Sequence, residues 1–517
     1  MRKFFVVLTL FGFVVASCTP SGTASTSTSP SASAAPLPQK ITIVGSAEPS
    51  TLDALHESGT ALFSMISQNI IETLVSIDNE TRKVTPVLAT DWKEAGTTAW
   101  RITIRSGVKF HDGTSLTVDD VVASLDYALA QGSPFQSYVP YGGARKVDSS
   151  TIEITTTRAD PLLPVQLQFV SVAPASAIAK GKDFMATNGV GTGPYKVVAW
   201  TKGQSLTLTR FDGYWGAAPP IRDVTYVWRT EPSVRANMVR TGEAQLAQAL
   251  SASDLQDMPK VQSVPGLAVY TLFMNTTGQT KGSIMSDQRV RLAVNYAVDR
   301  VALRDKIYGG HATLVKGNMV PPVVLGHNDQ LTDYPYDPQK AKDLISQAGA
   351  TGKAVTFVCP NGTFVNVVEA CQLIAAQLNQ VGLAATVTSV AFTVWLDTYR
   401  NGPKGLDRPD IMIGTPADET LDMSSKVAPT YFRSYQAGGG GGAIADSQLE
   451  AMVAAAALEA DQAKRQQLEA AISKYVYDKA YVAPLLAPNY IWGMTKNVDY
   501  KPLPNQNLFL STIKFNG

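Results

Sequence analysis

The chain has 517 residues, of which 45% are hydrophobic, 17% charged and 8% aromatic, and its formal net charge is +1. This length exceeds what one hydrophobic core usually serves, so we expect two or three domains of ordinary globular composition. The near-neutral charge excludes a strongly basic surface, so we expect no nucleic-acid partner and no electrostatic attraction to an acidic membrane.

The first eighteen residues have the pattern of a targeting signal. Arg2 and Lys3 precede an apolar run from Phe4 to Val15, which is too short to span about 30 Å of hydrocarbon. The run leads into Ala16-Ser17-Cys18, which resembles the bacterial lipobox, where the cysteine carries the lipid. We interpret residues 1–18 as a lipoprotein signal peptide with Cys18 as the lipidation site, anchored to the membrane rather than spanning it. The alternative is an ordinary secretory signal that happens to contain a cysteine.

Residues 19–39 are a segment of low complexity. They consist mainly of Ser, Thr, Ala and Pro and carry no charge before Lys40. Such a stretch buries too little apolar surface to offset its chain entropy, so we predict a disordered tether.

The region from residue 40 to about 270 mixes short strands with helices. Residues 100–105 alternate between apolar and polar side chains, which predicts a half-buried strand. Thr117 predicts a helix N-cap, with Asp119 and Asp120 in the first turn, where the helix dipole favours negative charge. Further strands are predicted at 151–157 and 205–209.

Between residues 330 and 415 the pattern becomes a regular alternation of strands and helices, which is typical of a parallel sheet with crossover helices. Asp337 and Pro338 predict the start of a helix that ends near Gly349. The remaining predictions are strands at 354–359, 383–390 and 410–414, helices at 365–381, 393–400, 447–458 and 461–479, and a final strand at 481–487.

No catalytic or metal-binding constellation is visible in the sequence. The four histidines do not have metal-ligand spacing, and there is no GxSxG nucleophile motif. We interpret His111 as part of a hairpin turn, Gly191 to Tyr195 as a turn that enters a strand, and Gly438 to Gly442 as a loop. We therefore expect no enzyme activity, no cofactor and no metal site.

Cys359 and Cys371 lie at a predicted strand end and inside the next helix. An exported protein can form disulfides, so a bridge between these two cysteines and a pair of buried free thiols remain alternatives.

Four stretches together resemble the family 5 extracellular solute-binding proteins of ABC importers, which include oligopeptide-, dipeptide- and nickel-binding proteins. They occur in the family's order and spacing over residues 40–517. They are Pro86 to Leu125, which contains GVKFHDGTSLTVDDVVASL; Gly191 to Tyr195 with Asp212 to Trp215; Phe273 to Asn275 with Arg289 to Arg300; and Asp337 to Gly349.

The resemblance implies an α/β fold of the periplasmic-binding-protein-like type II class, with two lobes and a ligand cleft between them. Lobe I would comprise residues 40–270 with an extra subdomain at about 80–185, lobe II residues 271–480, and residues 481–517 would return to lobe I. The family implies a monomer that closes by a hinge motion on a small solute or peptide and delivers it to the permease subunits of the importer.

Cleft residues are expected at the carboxyl ends of strands and in the loops that follow. These positions are Ser46, Glu48, Asn275, Gly414, Thr415, Asp418 and Tyr490. By the resemblance, Asp418 matches the aspartate that pairs with a peptide's α-amino group, while Thr415 stands where peptide-binding members carry Trp. A loop carboxylate or helix cap is the alternative role of Asp418. Trp395, with Phe392, is either an apolar wall of the cleft or part of the core.

Short peptides or peptide-like compounds are the leading ligand class. Nickel chelates and oligosaccharides are alternatives within the same class of protein, and Trp228, Trp395 and Trp492 are candidates for stacking on a sugar. A tethered hydrolase and a sensor or adhesin are the alternatives of a different class.

Overall fold

The computed structural model describes residues 39–516, except residues 57–67, 132, 134, 136–137, 277–282, 362–363, 402–408, 426, 433–443 and 445, and except the side chains of 399–401. The predicted signal peptide with Cys18, the predicted tether up to residue 38 and the glycine run 438–442 lie outside the described residues.

The strands follow one another in chain order. They are β1 (Lys40–Gly45), β2 (Val75–Ile77), β3 (Val84–Pro86), β4 (Ala89–Gly96), β5 (Ala99–Ile104), β6 (Tyr141–Lys146), β7 (Thr151–Thr156), β8 (Tyr195–Thr201), β9 (Ser205–Arg210), β10 (Asp223–Trp228), β11 (Leu246–Ala247), β12 (Lys260–Pro265), β13 (Tyr270–Met274), β14 (Ala312–Leu314), β15 (Ala354–Asn361), β16 (Ala384–Ala391), β17 (Ile411–Gly414), β18 (Val482–Met494), β19 (Val498–Asp499) and β20 (Lys514–Phe515).

The helices lie between these strands. They are α1 (Val118–Ala128), α2 (Leu163–Gln166), α3 (Ala175–Ile178), α4 (Lys182–Thr187), α5 (Pro232–Thr241), α6 (Gln288–Ala297), α7 (Arg300–Ala302), α8 (Pro338–Gln347), α9 (Val367–Gln380), α10 (Phe392–Asn401), α11 (Val427–Tyr431), α12 (Ser447–Ala457) and α13 (Gln462–Asp478). Within the described residues, no helix is both long enough and apolar enough to cross a membrane.

One strand, β18, joins the two parts of the largest sheet. The sheet order is β16-β15-β17-β13-β18-β11-β1-β10-β9-β8, with β12 and β14 also paired to β18. The first five residues of β18 pair with β13 of predicted lobe II, and its last six pair with β12 of predicted lobe I. The tail therefore contributes to both parts of the sheet.

The residues of the predicted extra subdomain contain the sheet β4-β5-β7-β6 and helix α1. The predicted strand at 100–105 is observed as β5, and its apolar residues Ile102 and Ile104 are buried. Thr117 caps α1 as predicted, because its hydroxyl accepts from the Asp120 backbone while the Asp120 carboxylate accepts from the Thr117 N–H.

The predicted parallel sheet is present, but two antiparallel strands extend it. β15 pairs in parallel with both β16 and β17, as the strand–helix alternation indicated. β13 and β18 then continue the sheet beyond β17 with antiparallel pairing. The final strand is also longer than the predicted 481–487, because it crosses into the other part of the sheet.

The glycines of the 191–195 turn allow a close approach between two chain segments. A Cβ at Gly191 would lie 2.3 Å from the Ile70 carbonyl oxygen, and one at Gly193 would lie 2.6 Å from that of Asn69. His111 spans the turn: its Nε2 contacts the Gly193 carbonyl oxygen at 2.9 Å, and the Gly191 N–H donates to its Nδ1 at 3.3 Å. Burial lowers the pKa of His111. The interpretation of His111 as a residue that shapes a turn agrees with these contacts.

The same turn meets the Asp212–Trp215 motif at one buried carboxylate, Glu72. Its oxygens accept hydrogen bonds from Thr192 Oγ1 at 2.8 Å, Tyr214 OH at 2.9 Å and Trp215 Nε1 at 2.8 Å. The Arg105 guanidinium lies 4.2 Å from the Trp215 ring centroid. Burial outweighs the donors and raises the pKa of Glu72 to about 7. Two motifs that suggested the family therefore build part of the interior of predicted lobe I.

Cys359 and Cys371 form a disulfide, with 6.6 Å between their Cα atoms. The bridge joins the end of β15 to helix α9, inside the hydrophobic core of predicted lobe II. Of the two alternatives that the sequence left open, the structure has the bridge.

Candidate functional site

The carboxyl end of β17 points toward the middle of β18. Gly414, the last residue of β17, pairs with Thr271, and Thr271 pairs with Pro484 of β18. The antiparallel register continues beyond the two strands, since the Val269 N–H donates to the Pro416 carbonyl oxygen at 3.0 Å. The loop that begins at Thr415 therefore leaves the sheet level with residues 486–490 of β18.

The carboxyl end of β1 points toward the same part of β18 from the other side. Val44 pairs with Ala247, which pairs with Gly493 of β18. Because β1 and β18 run in opposite directions, Ser46 lies two residues beyond this level, near position 491. The register thus puts Ser46 and Thr415 on opposite sides of the level of Tyr490, while Gly414 lies level with Pro484 near the start of β18.

Tyr490 lies between the levels at which β1 and β17 end. The residue is half-buried, and its ring packs against Gly266 in the connection from β12 to β13. Removal of the hydroxyl from water, followed by the nearby Glu419 carboxylate, raises the pKa of Tyr490 to about 12. Gln506 also hydrogen-bonds this hydroxyl. The charge of Glu419, in the loop after β17, therefore acts on Tyr490.

Asp418 faces into its own loop. Its side chain accepts from the Thr420 N–H at 3.0 Å, from the Thr420 hydroxyl and from the Val427 N–H at 3.2 Å. The residue is 1% exposed. These contacts fix the turn after residue 418 and the start of α11, which is the helix-capping role stated above as the alternative.

Two other predicted site residues are held by their surroundings. Glu48 accepts from Trp200 Nε1 at 2.9 Å and from the Gly203 N–H at 3.0 Å, so it anchors the turn between β8 and β9. Trp395 is buried, stacks on Phe392 and donates from Nε1 to the Ile413 carbonyl oxygen at 2.9 Å. Of the two roles considered for Trp395, these contacts favour the core.

Asn275 does not join the other predicted site residues. β13 runs antiparallel to β17, so the end of β13 lies beside the beginning of β17, and the Asn275 N–H donates to the Asp410 carbonyl oxygen at 2.9 Å. Asn275 therefore lies at the opposite end of β17 from Gly414 and Thr415, and its role in the site stays a prediction.

A buried polar network joins the loop after β17 to helix α13. Arg465 donates to the Asp422 carboxylate at 2.8 Å, and the Ser424 N–H donates to Glu469 Oε1 at 2.8 Å. Burial, together with the neighbouring Asp422 carboxylate, raises the pKa of Glu469 well above its ordinary value. One guanidinium beside two enclosed carboxyl groups favours retention of a proton on Glu469.

Two surface depressions lie away from the middle of β18. One, of 380 Å³, follows the exposed face of β1, β9 and β10, and the other, of 270 Å³, lies between residues 499 and 514. Among the described residues, no group of three His, Cys, Asp or Glu side chains is placed to hold a metal ion. Neither depression is lined by Ser46, Gly414, Thr415 or Tyr490, so the candidate site is defined by the register of the strands.

Sequence reasoning missed Glu419, Glu469 and Glu72. Glu419 is adjacent to the expected Asp418, and only the direction in which each side chain points distinguishes them. Glu72 meets partners more than a hundred residues away, so no local pattern marks it. Glu469 lies on α13, and its burial beneath a distant loop is the only distinguishing feature.

Comparisons with known proteins agree with the resemblance. The model of the bacterial extracellular solute-binding proteins, family 5, matches residues 83–427. The dipeptide-binding protein of Escherichia coli is 31% identical over 329 residues, which cover 57% of this chain and 60% of that protein. The glutathione-binding protein GsiB of Salmonella typhi is 30% identical over 356 residues, or 66% and 67% of the two chains. The structure of HbpA2 from Haemophilus parasuis is similar with a TM-score of 0.80 at 20% identity, over 92% of this chain and all of the other.

Proposed function

The chain belongs to the bacterial extracellular solute-binding proteins of family 5, and on that premise we propose that it captures short peptides or peptide-like solutes and delivers them to an ABC importer. The expected fold class, periplasmic-binding-protein-like type II, is confirmed by the similarity to HbpA2 over nearly the whole chain. The matched region spans 60% of the E. coli dipeptide-binding protein. The identity of the solute and its delivery to an importer are therefore proposed for this chain.

The observation that supports the proposal is the register of the sheet, which directs two strand ends toward the middle of β18 from opposite sides. Ligands of open α/β sheets bind outside the carboxyl ends of the strands. Here β1 and β17, which belong to the two parts of the sheet that β18 joins, end on opposite sides of the level of Tyr490. A solute held there would contact both lobes, and its differential affinity for the closed form would shift the equilibrium.

The ligand class follows from the charge at this position and from the relatives. The Glu419 carboxylate is near enough to Tyr490 to raise the pKa of that residue, and a carboxylate in this region suits an ammonium group. Relatives are named for dipeptides and glutathione, which are both short, amide-linked and carry an amino group. Both are named as binding proteins, which supports a carrier rather than an enzyme.

We place the protein on the outer side of the bacterial cell membrane, held there by a lipid on Cys18. The family is extracellular by description, and residues 15–18 resemble a lipobox. The partners are then the permease subunits of the importer, the membrane through the lipid, and a single solute per monomer.

Native mass spectrometry of the chain from residue 40 onward, purified under mild conditions, tests the proposal. We expect a bound mass of a few hundred daltons that is released unchanged on denaturation. A thermal-shift panel of dipeptides, tripeptides and glutathione follows, in which a ligand at 100 times its Kd should stabilise the protein by about 2.7 kcal/mol. No bound mass and no shift with any of these compounds would contradict the ligand class, and chemical conversion of a bound compound would contradict the carrier role.

A further inference from the structure

A hairpin of lobe I touches lobe II away from the strands that connect them. The hairpin comprises β2, β3 and the turn 78–83. Ile77 of this hairpin belongs to a buried apolar cluster that includes Met319, Val320 and Val324 of lobe II. Arg82 Nη2 donates to the Pro322 carbonyl oxygen at 3.1 Å.

A second piece of lobe I belongs to the same cluster. Leu162 and Val165, at the start of α2, are buried with Ile77 and with the lobe II residues. The hairpin and α2 are neighbours within lobe I, because Leu74 and Val170 are joined by a backbone hydrogen bond of 3.3 Å. We call Ile77, Arg82, Leu162 and Val165 the hairpin patch.

The turn that carries Arg82 is well ordered by its own hydrogen bonds. Asp78 Oδ1 accepts from the Thr81 N–H at 2.6 Å and from the Thr81 hydroxyl at 2.7 Å, and the Arg82 N–H donates to the Asp78 carbonyl oxygen at 2.8 Å. Arg82 has a φ of 60°, in the left-handed region that such a turn requires. The guanidinium is therefore presented to Pro322 from a fixed backbone.

The segment of lobe II that receives the hairpin patch is tied to the candidate ligand loop. The Leu325 N–H donates to the Leu421 carbonyl oxygen at 2.9 Å, and the Met423 N–H donates to the Leu325 carbonyl oxygen at 3.3 Å. Asp418 and Glu419 lie at the start of that loop. A solute that positions the loop therefore also positions the surface on which the hairpin rests.

We propose that the hairpin patch is a closure contact, which separates when the lobes open and sets the balance between open and closed forms before any solute binds. Among the described strands, β2 pairs only with β3, so apolar side chains and one hydrogen bond hold the hairpin to lobe II. Such a contact can separate without breaking a strand ladder. The inference rests on the hinge closure of the proposed function and adds a second determinant of apparent affinity outside the cleft.

Double electron–electron resonance tests the proposed closure contact. Spin labels are attached at two exposed positions, Lys93 and Leu458, in a Cys18→Ser background, and the distance between them is measured. No solute is added in this measurement. The distances can therefore be interpreted even if no solute is found to bind in the mass spectrometry and thermal-shift assays. Ile77→Ser should raise the ratio of long to short distances about tenfold, the order expected for removing most of a buried isoleucine side chain from an apolar contact. Arg82→Ala should raise it less.

Glu80→Ala is the matched control, because Glu80 lies in the same turn but is exposed and faces Lys501. The Glu80→Ala variant should show the same distance distribution as the wild type. Identical distance distributions in all four proteins would overturn the proposal. A lower thermal midpoint of Ile77→Ser with unchanged distances would also overturn it, since the contact would then be a fixed part of the fold.

Discussion

Replacement of Glu72 by glutamine should remove a pH dependence from the stability of the protein. Burial raises the pKa of Glu72 from 4.5 to about 7. A carboxyl group with a raised pKa in the folded state stabilises the protein fully below its unfolded pKa, and this contribution is lost as pH rises through 7. For these two values, the contribution should fall by about 2.5 kcal/mol between pH 5 and pH 8.

Glutamine suits this position. Its amide oxygen can accept from Thr192 and Trp215, and its amide nitrogen can donate to the Tyr214 hydroxyl, which is able to accept instead. Urea unfolding of the wild type and of Glu72→Gln at pH 5, 6, 7 and 8 gives the difference in free energy of unfolding at each pH. Groups that titrate in both proteins, including Glu469, cancel in that difference. Glu80→Gln, at an exposed position, serves as the isosteric control and should show no such trend.

The competing effect is the set of donors around Glu72. Three hydrogen bonds and the nearby Arg105 favour the ionised carboxylate, and they act against burial. If they prevail, the pKa lies at or below 4.5 and the difference between the two proteins is flat, or rises with pH. Either result would refute the reasoning that desolvation decides the charge of this group.

Other predictions follow from single contacts. Asp418→Ala should lower the free energy of unfolding by about 1–3 kcal/mol, because the buried Val427 N–H loses its acceptor; an unchanged urea midpoint would contradict the capping role. Gly191→Ala should cost at least about 1–3 kcal/mol in the same assay, since its Cβ would lie 2.3 Å from the Ile70 oxygen, and full stability would show that the turn can move aside. Cys371→Ser should lower the free energy of unfolding by about 3 kcal/mol, the order expected for a disulfide that closes a loop of this length. If reductant does not change the urea unfolding of the wild type, the result would argue against the disulfide.

Local elements could be predicted because their signals are local. The cap at Thr117, the alternation in β5 and the strand–helix pattern after residue 330 each depend on neighbouring residues, and the structure has all three. The predicted lobe boundaries at 270 and 480 stay predictions, but they fall next to β13 and β18, the strands where the two parts of the sheet meet.

The direction of side chains could not be predicted, because it depends on long-range pairing. Asp418 and Glu419 are consecutive acidic residues, and only the hydrogen bonds from Thr420 and Val427 decide that Asp418 faces inward. Asn275 lies at the opposite end of β17 from Gly414 because β13 runs antiparallel to β17. The sequence patterns of a buried parallel strand and a buried antiparallel strand are too similar to separate these cases.

The placement of β18 has a consequence for how the chain is made. The ribosome completes residues 482–494 only after everything from β1 to α13 has been synthesised, yet β11 and β12 on one side and β13 and β14 on the other all pair with this strand. Neither part of the sheet is complete while the strand is missing, so folding should finish only after residue 494 has been synthesised. A chain that passes through a membrane channel before it folds benefits from such a late final step, because its earlier segments stay incomplete until they have crossed.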